Sequence, residues 1–306
     1  MLINTNSFIA GIKREYWEHK RTILGIPLAI AALCILSALM AMIAANHFES
    51  SIKDAVGFNA NDSELNIEID GEMYQDFDKA KQGLRAALSD KADEVSFGLM
   101  AFFISAAWVA AYYYLLATLY TDRKDKSILF WKSLPISEIQ NVLTKLAFAC
   151  IGFVAVAIVI GWVTSIVLSI IGFGGGQNIQ IDFSLVELVV WPIGALILGL
   201  LWGAPIFTYT ILVSAAAKRS PFLLLILPPI VIPVLEWIFF STSHVVTFFG
   251  RHMPFAVLEA ISDQGGVAGA TAYYFTDQSM SMMLGLVVAA GFCVSAVWYR
   301  DNKFEL

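Results

Sequence analysis

The chain has 306 residues, of which 58% are hydrophobic and only 14% are charged, against about 45–50% and about 25% in an ordinary soluble domain. Its net charge is −6. Such a composition excludes a soluble enzyme, a disordered chain and a disulfide-stapled secreted scaffold. The three cysteines, Cys34, Cys150 and Cys293, sit in three different apolar runs. They are expected as free thiols, because an exported disulfide framework places paired cysteines in polar loops.

Residues 7–21, SFIAGIKREYWEHKR, open the pattern. Phe8, Ile12 and Tyr16 recur every four residues, with Ile9 and Trp17 beside them, and Lys13, Arg14, Lys20 and Arg21 can reach lipid headgroups. This predicts an N-terminal interfacial helix in the membrane plane; the plainer alternative is a short lead-in to the first span. Five uncharged runs follow, Thr22–Phe48, Ser96–Thr121, Leu146–Ile181, Leu188–Ala217 and Gln278–Tyr299, and a sixth, Ser220–Phe240, is broken only by Glu236. A transmembrane helix needs ~20 such residues. The expected fold is therefore an all-α polytopic membrane protein, one domain over 1–306. Its six transmembrane helices fall at 22–45, 96–121, 146–171, 188–217, 222–240 and 279–299. The first run is too long for the 7–15-residue core of a signal peptide, which makes it a retained helix.

Residues 46–95 form the one sizeable polar segment, with 12 acidic and 5 basic residues. Its ends extend the neighbouring helices, and LNIEI at Leu65–Ile69, stopping at Asp70-Gly71, suggests a short strand or extended turn. We read it as a small extracytoplasmic cap. The loop at 122–145 carries Asp122, Arg123, Lys124, Asp125 and Lys126, then the apolar block Ile128–Trp131 with Phe130, and Pro135. A short amphipathic helix is expected here, capped by Thr121 or Asp122 and ended by Pro135. Ser137 and Gln140 have the spacing of a capping box for the next helix.

In the fourth span Ala195, Gly199 and Gly203 repeat every four residues, which suits close helix approach within the same chain. The fifth holds Pro228, Pro229 and Pro233, predicting a kinked or partly unwound helix. Glu236 is the one acid within a span, about 21 Å beyond Phe222 along a helix, and is either functional or a bland acid near the outer surface. Residues 241–278 are apolar and aromatic but too short to cross, as re-entrant or interfacial segments are. His244 and His252 there make only a weak metal pattern.

Orientation follows from sorting the charges. With both termini inside, the inner segments hold 13 of the 19 basic residues and a net +6, the outer segments −11. Positive residues stay on the cytoplasmic side, so both termini are expected in the cytoplasm of, most simply, a bacterial inner membrane. No G-x-x-x-x-G-K-[ST], H-E-x-x-H or C-x-x-C occurs. We expect no catalytic residues, no metal, no cofactor in this chain and no nucleic-acid partner. Polar groups inside the spans, such as Ser105, Tyr112 and Thr208, are sparse, and with Glu236 they are the candidates for a translocation path.

The basic stretch KREYWEHK at Lys13–Lys20, the charged loop Asp122–Ser137 with its string LFWKSLPIS, the six-span layout and the short segments before the last span resemble the type-2 permease family of ATP-binding-cassette (ABC) transporters. That resemblance implies a permease subunit working as an exporter and as a homodimer with two ATPase subunits that bind ATP and magnesium. It implies that Asp122–Leu134 is the coupling helix, with Asp122, Arg123, Lys124, Asp125, Lys126, Phe130, Trp131 and Pro135 meeting the ATPase, and that the second and fifth spans line the path. The competing readings are a membrane anchor or scaffold and a secondary carrier. A carrier of that kind needs several ionisable groups converging at mid-depth.

Overall fold

The computed structural model describes residues 5–57, 67–69, 72–74, 92–128, 137–173 and 185–302. Among these, six helices are long and apolar enough to cross a membrane. The chain is a largely helical, multi-pass membrane protein. Its elements, in order, are α1 (Thr5–Gly57), a hairpin of β1 (Ile67–Ile69) and β2 (Glu72–Tyr74), α2 (Ala92–Lys124), α3 (Glu138–Ala147), a π-helical turn (Phe148–Gly152) running into α4 (Phe153–Phe173), α5 (Leu185–Ala216), α6 (Pro221–Phe240), three short helices α7 (His244–Arg251), α8 (Phe255–Asp263) and α9 (Val267–Phe275), and α10 (Ser279–Asn302).

The helices form two compact units. One comprises residues 28–103 and 159–181. In it β1 and β2 pair antiparallel, with Ile67 opposite Tyr74 and Ile69 opposite Glu72, so the alternating LNIEI segment does contain a strand. Gly161 of α4 lets that helix approach α2 closely, for a Cβ there would lie 3.0 Å from the Met100 sulfur.

The other unit comprises residues 1–27, 104–158 and 182–306. Its core is built by α5, whose Ala195, Leu198, Trp202, Phe207 and Ile211 are all buried. The small-residue stripe of α5 is used inside the chain. A Cβ on Gly199 would lie 2.3 Å from the Trp108 indole, and one on Gly203 would lie 3.1 Å from Pro254. Glycine is required at 199 because a large aromatic ring occupies the space of its absent side chain.

Three expectations change. Residues 7–21 are not a separate helix, for α1 runs unbroken through them with Pro27 inside. Nothing in IKREYWEHKRTIL stops a helix, and the buried Glu15 described below gives this stretch a tertiary anchor. The second span's helix continues through Asp122, Arg123 and Lys124 instead of giving way to a helix capped at Thr121 or Asp122, and the next helix already starts at Glu138, so the connection expected at 122–145 shrinks to 125–137. Two cations in the last turn of α2 complement the negative end of the helix dipole, and Lys126, at φ 58°, turns the chain out of it. Residues 129–136, with Phe130, Trp131 and Pro135, lie outside the described residues. Finally, of the kinked and partly unwound forms expected for the fifth span, the unwound one does not occur, for α6 stays helical through all three prolines.

Candidate functional site

Charged side chains converge at one end of the second unit, from four parts of the chain. Glu15 of α1 is fully buried. Its carboxylate accepts a 2.6 Å hydrogen bond from the Tyr114 hydroxyl of α2, pairs with Lys145 at 3.2 Å and pairs with Arg14. Lys145, near the end of α3, is 3% exposed. Its ammonium also donates to the Thr118 hydroxyl at 2.7 Å and lies 3.5 Å from Asp122 Oδ2. Arg300, near the end of α10, reaches the same Asp122 oxygen at 3.0 Å and binds Glu138 through Nε. Three carboxylates, Glu15, Asp122 and Glu138, thus face three cations, Arg14, Lys145 and Arg300.

Local structure explains why these groups meet. Ser137 caps α3, its hydroxyl accepting from the Gln140 amide at 3.2 Å. The Gln140 side chain donates to the Ser7 hydroxyl at 2.6 Å, tying α3 to α1. The cap sets the helical phase that puts Lys145 between the buried Val142 and Ala149. On the flank, Arg123 donates to the carbonyls of Ser214 at 3.0 Å and Ala217 at 2.6 Å, and so fastens α2 to the end of α5.

Buried charges are costly unless paired and hydrogen-bonded; here each is paired, while Arg300 Nη2 is buried without a hydrogen-bond partner among the described residues. The cluster therefore fixes the register of α1, α2, α3 and α10 at this end. Glu15, Glu18 and His19 also bring potential ligand atoms within 4.8 Å of one another. The Glu15 oxygens are already engaged by Tyr114, Lys145 and Arg14, and those cations oppose a bound metal ion.

The sequence-derived candidates fall in different places. Asp122 is in the cluster and Arg123 beside it, while Lys124, Asp125 and Lys126 are exposed. Arg14 is an ion-pair partner, whereas Lys13 and Trp17 are exposed and Tyr16 is half-buried. Of the path candidates, Tyr112 stacks on Phe207 at 4.8 Å, and the adjoining Thr208 hydroxyl donates back to the Ala204 carbonyl at 2.8 Å. Ser105 is half-buried. Glu236 stands apart from all three. Its carboxylate accepts from the Thr242 hydroxyl at 2.8 Å and from the backbone N–H groups of His244 and Val245 at 2.8 and 2.9 Å. It caps α7 from α6, which is where a carboxylate suits a helix N-terminus. His252 is buried, with its ring nitrogens 2.9 Å from the Phe248 carbonyl and 3.2 Å from that of Ser281.

Sequence reasoning missed Glu15, Tyr114, Glu138, Lys145 and Arg300 as a set. The available signal was phase: Lys145 falls on the same helical face as Val142 and Ala149. No protein-family model, no curated protein and no solved structure matches this chain.

Proposed function

We propose that the chain is the membrane subunit of an ATP-driven transporter of the ABC type-2 permease kind. In this reading two copies pair, each docks one ATPase subunit, and the loop at 125–137 receives the push when the ATPases close on ATP and magnesium. The chain itself hydrolyses nothing, and its termini and that loop face the cytoplasm of a bacterial cell.

The supporting observation is the charged cluster. Both helices that flank this loop are ion-paired to others: Asp122 near the end of α2 and Glu138 at the start of α3 to Arg300, and Lys145 of α3 to Glu15. A displacement of the loop is thereby carried to the first helix and the last span together, as a coupling element requires. Outside this cluster at the helix ends, the described spans hold few ionisable groups, which fits an external motor better than an ion gradient.

Two experiments test the reading. The chain is co-expressed with candidate ABC ATPase subunits and purified; a stable complex with chain-dependent ATP hydrolysis is expected, and a chain that binds no ATPase overturns the proposal. For orientation, a cysteine engineered at Gln75 should react with an impermeant reagent from outside intact cells, and one at Ser127 only after permeabilisation. Reversed labelling at both sites contradicts it.

A further inference from the structure

Each proline inside a helix withholds an N–H from the carbonyl four residues earlier. In α6, Pro228 and Pro229 therefore leave the carbonyls of Leu224 and Leu225 without their helical donors. Bulk water does not reach such groups in hydrocarbon, and a side chain from a neighbouring helix is one of the few donors that can serve them. The Tyr209 hydroxyl of α5 lies 3.2 Å from the Leu224 carbonyl oxygen and 3.2 Å from that of Leu225. These are the same two carbonyls that the proline pair deprives. Both distances exceed the 2.7–2.8 Å typical of a single O–H···O bond, as expected when one proton is shared between two acceptors.

The Tyr209 ring is held in place from two other elements, by Phe249 of α7 and Phe292 of α10, each with ring centroids 5.6 Å away. No residue of α6 is buried. The helix thus has little packing to hold it, and this polar contact falls at its proline pair.

We propose that Tyr209 replaces the two N–H groups missing at Pro228–Pro229 and so latches α6 to α5 at the point where α6 is weakest. With the latch closed, α6 is a continuous helix. With it open, two carbonyls lose their donor and α6 bends or unwinds there. One hydroxyl thereby sets whether this span is rigid or mobile. The inference stands on backbone chemistry and does not depend on the transporter reading.

The test uses the full chain in lipid nanodiscs, with Cys34, Cys150 and Cys293 replaced by serine and spin labels at the exposed Ile193 and Leu235. Tyr209→Phe keeps the ring and removes only the hydroxyl. It should broaden the 193–235 distance distribution and lower the unfolding midpoint. In a Pro228→Ala/Pro229→Ala background the N–H groups return, and there the same Tyr209→Phe change should leave both readouts unaltered. If Tyr209→Phe does not fold in the native background, folding restored by the two alanines supports the latch and continued failure overturns it. Unaltered readouts in the native background, or an equal change in both backgrounds, also overturn it.

Discussion

Glu15 and Glu236 are carboxylates on apolar helices, and their surroundings differ in kind. Glu15 is fully buried and meets Lys145, Arg14 and the Tyr114 hydroxyl, drawn from three helices. Glu236 is partly exposed and serves two backbone N–H groups and one hydroxyl within nine residues of itself. In sequence Glu236 is the conspicuous one, because it stands alone in an apolar run. In the folded chain Glu15 is the more deeply integrated, because its partners arrive from positions 14, 114 and 145. Isolation in sequence marks a charge that needs local satisfaction; connection across the fold marks one that sets the arrangement of helices.

The difference can be broken by removing partners. Lys145→Met should have the largest effect, since it leaves Glu15 buried without its ammonium; losing one member of a buried pair costs about 3–5 kcal/mol. Unfolding of the purified protein in detergent measures this. Adding Glu15→Gln to Lys145→Met should recover much of the loss, because the uncompensated charge is then gone. Equal destabilisation by the single and double variants would mean that the pair is not coupled.

Gly199→Ala should come next. The added methyl meets the Trp108 ring at 2.3 Å, and overpacking of this kind costs about 1–3 kcal/mol. A variant as stable as the parent would show that Trp108 can move aside. Glu236→Gln should have the smallest effect, for an amide oxygen can still accept from the α7 N-terminus. Assembly, expression and ATP hydrolysis of the complex should be unchanged; a loss of hydrolysis with intact assembly would make Glu236 more than a cap.

Much of the architecture was legible in the sequence because it follows from local pattern. Five uncharged runs, and a sixth broken only by Glu236, become six long helices. The Ala195–Gly199–Gly203 stripe packs within the chain, Ser137 caps its helix, and the short segments after Phe240 are short helices. Properties that depend on tertiary partners were not legible. Glu15, Lys145 and Arg300 looked like ordinary members of the inner charge excess, since pairing across 130 residues or more leaves no local trace. The prolines of α6 suggested unwinding because the donor that compensates two of them, Tyr209, lies on another helix.

The central claim is that the 125–137 loop docks an ATPase and that the charged cluster fastens its flanking helices to the others. Its most direct test is the affinity of the full chain in nanodiscs for its ATPase subunit, parent against Trp131→Ala. A large aromatic anchor at an interface contributes about 2 kcal/mol or more, roughly a 30-fold change in affinity. The account predicts a loss of that size with six spans still inserted. Unchanged binding by Trp131→Ala, or no binding by the parent, would contradict it.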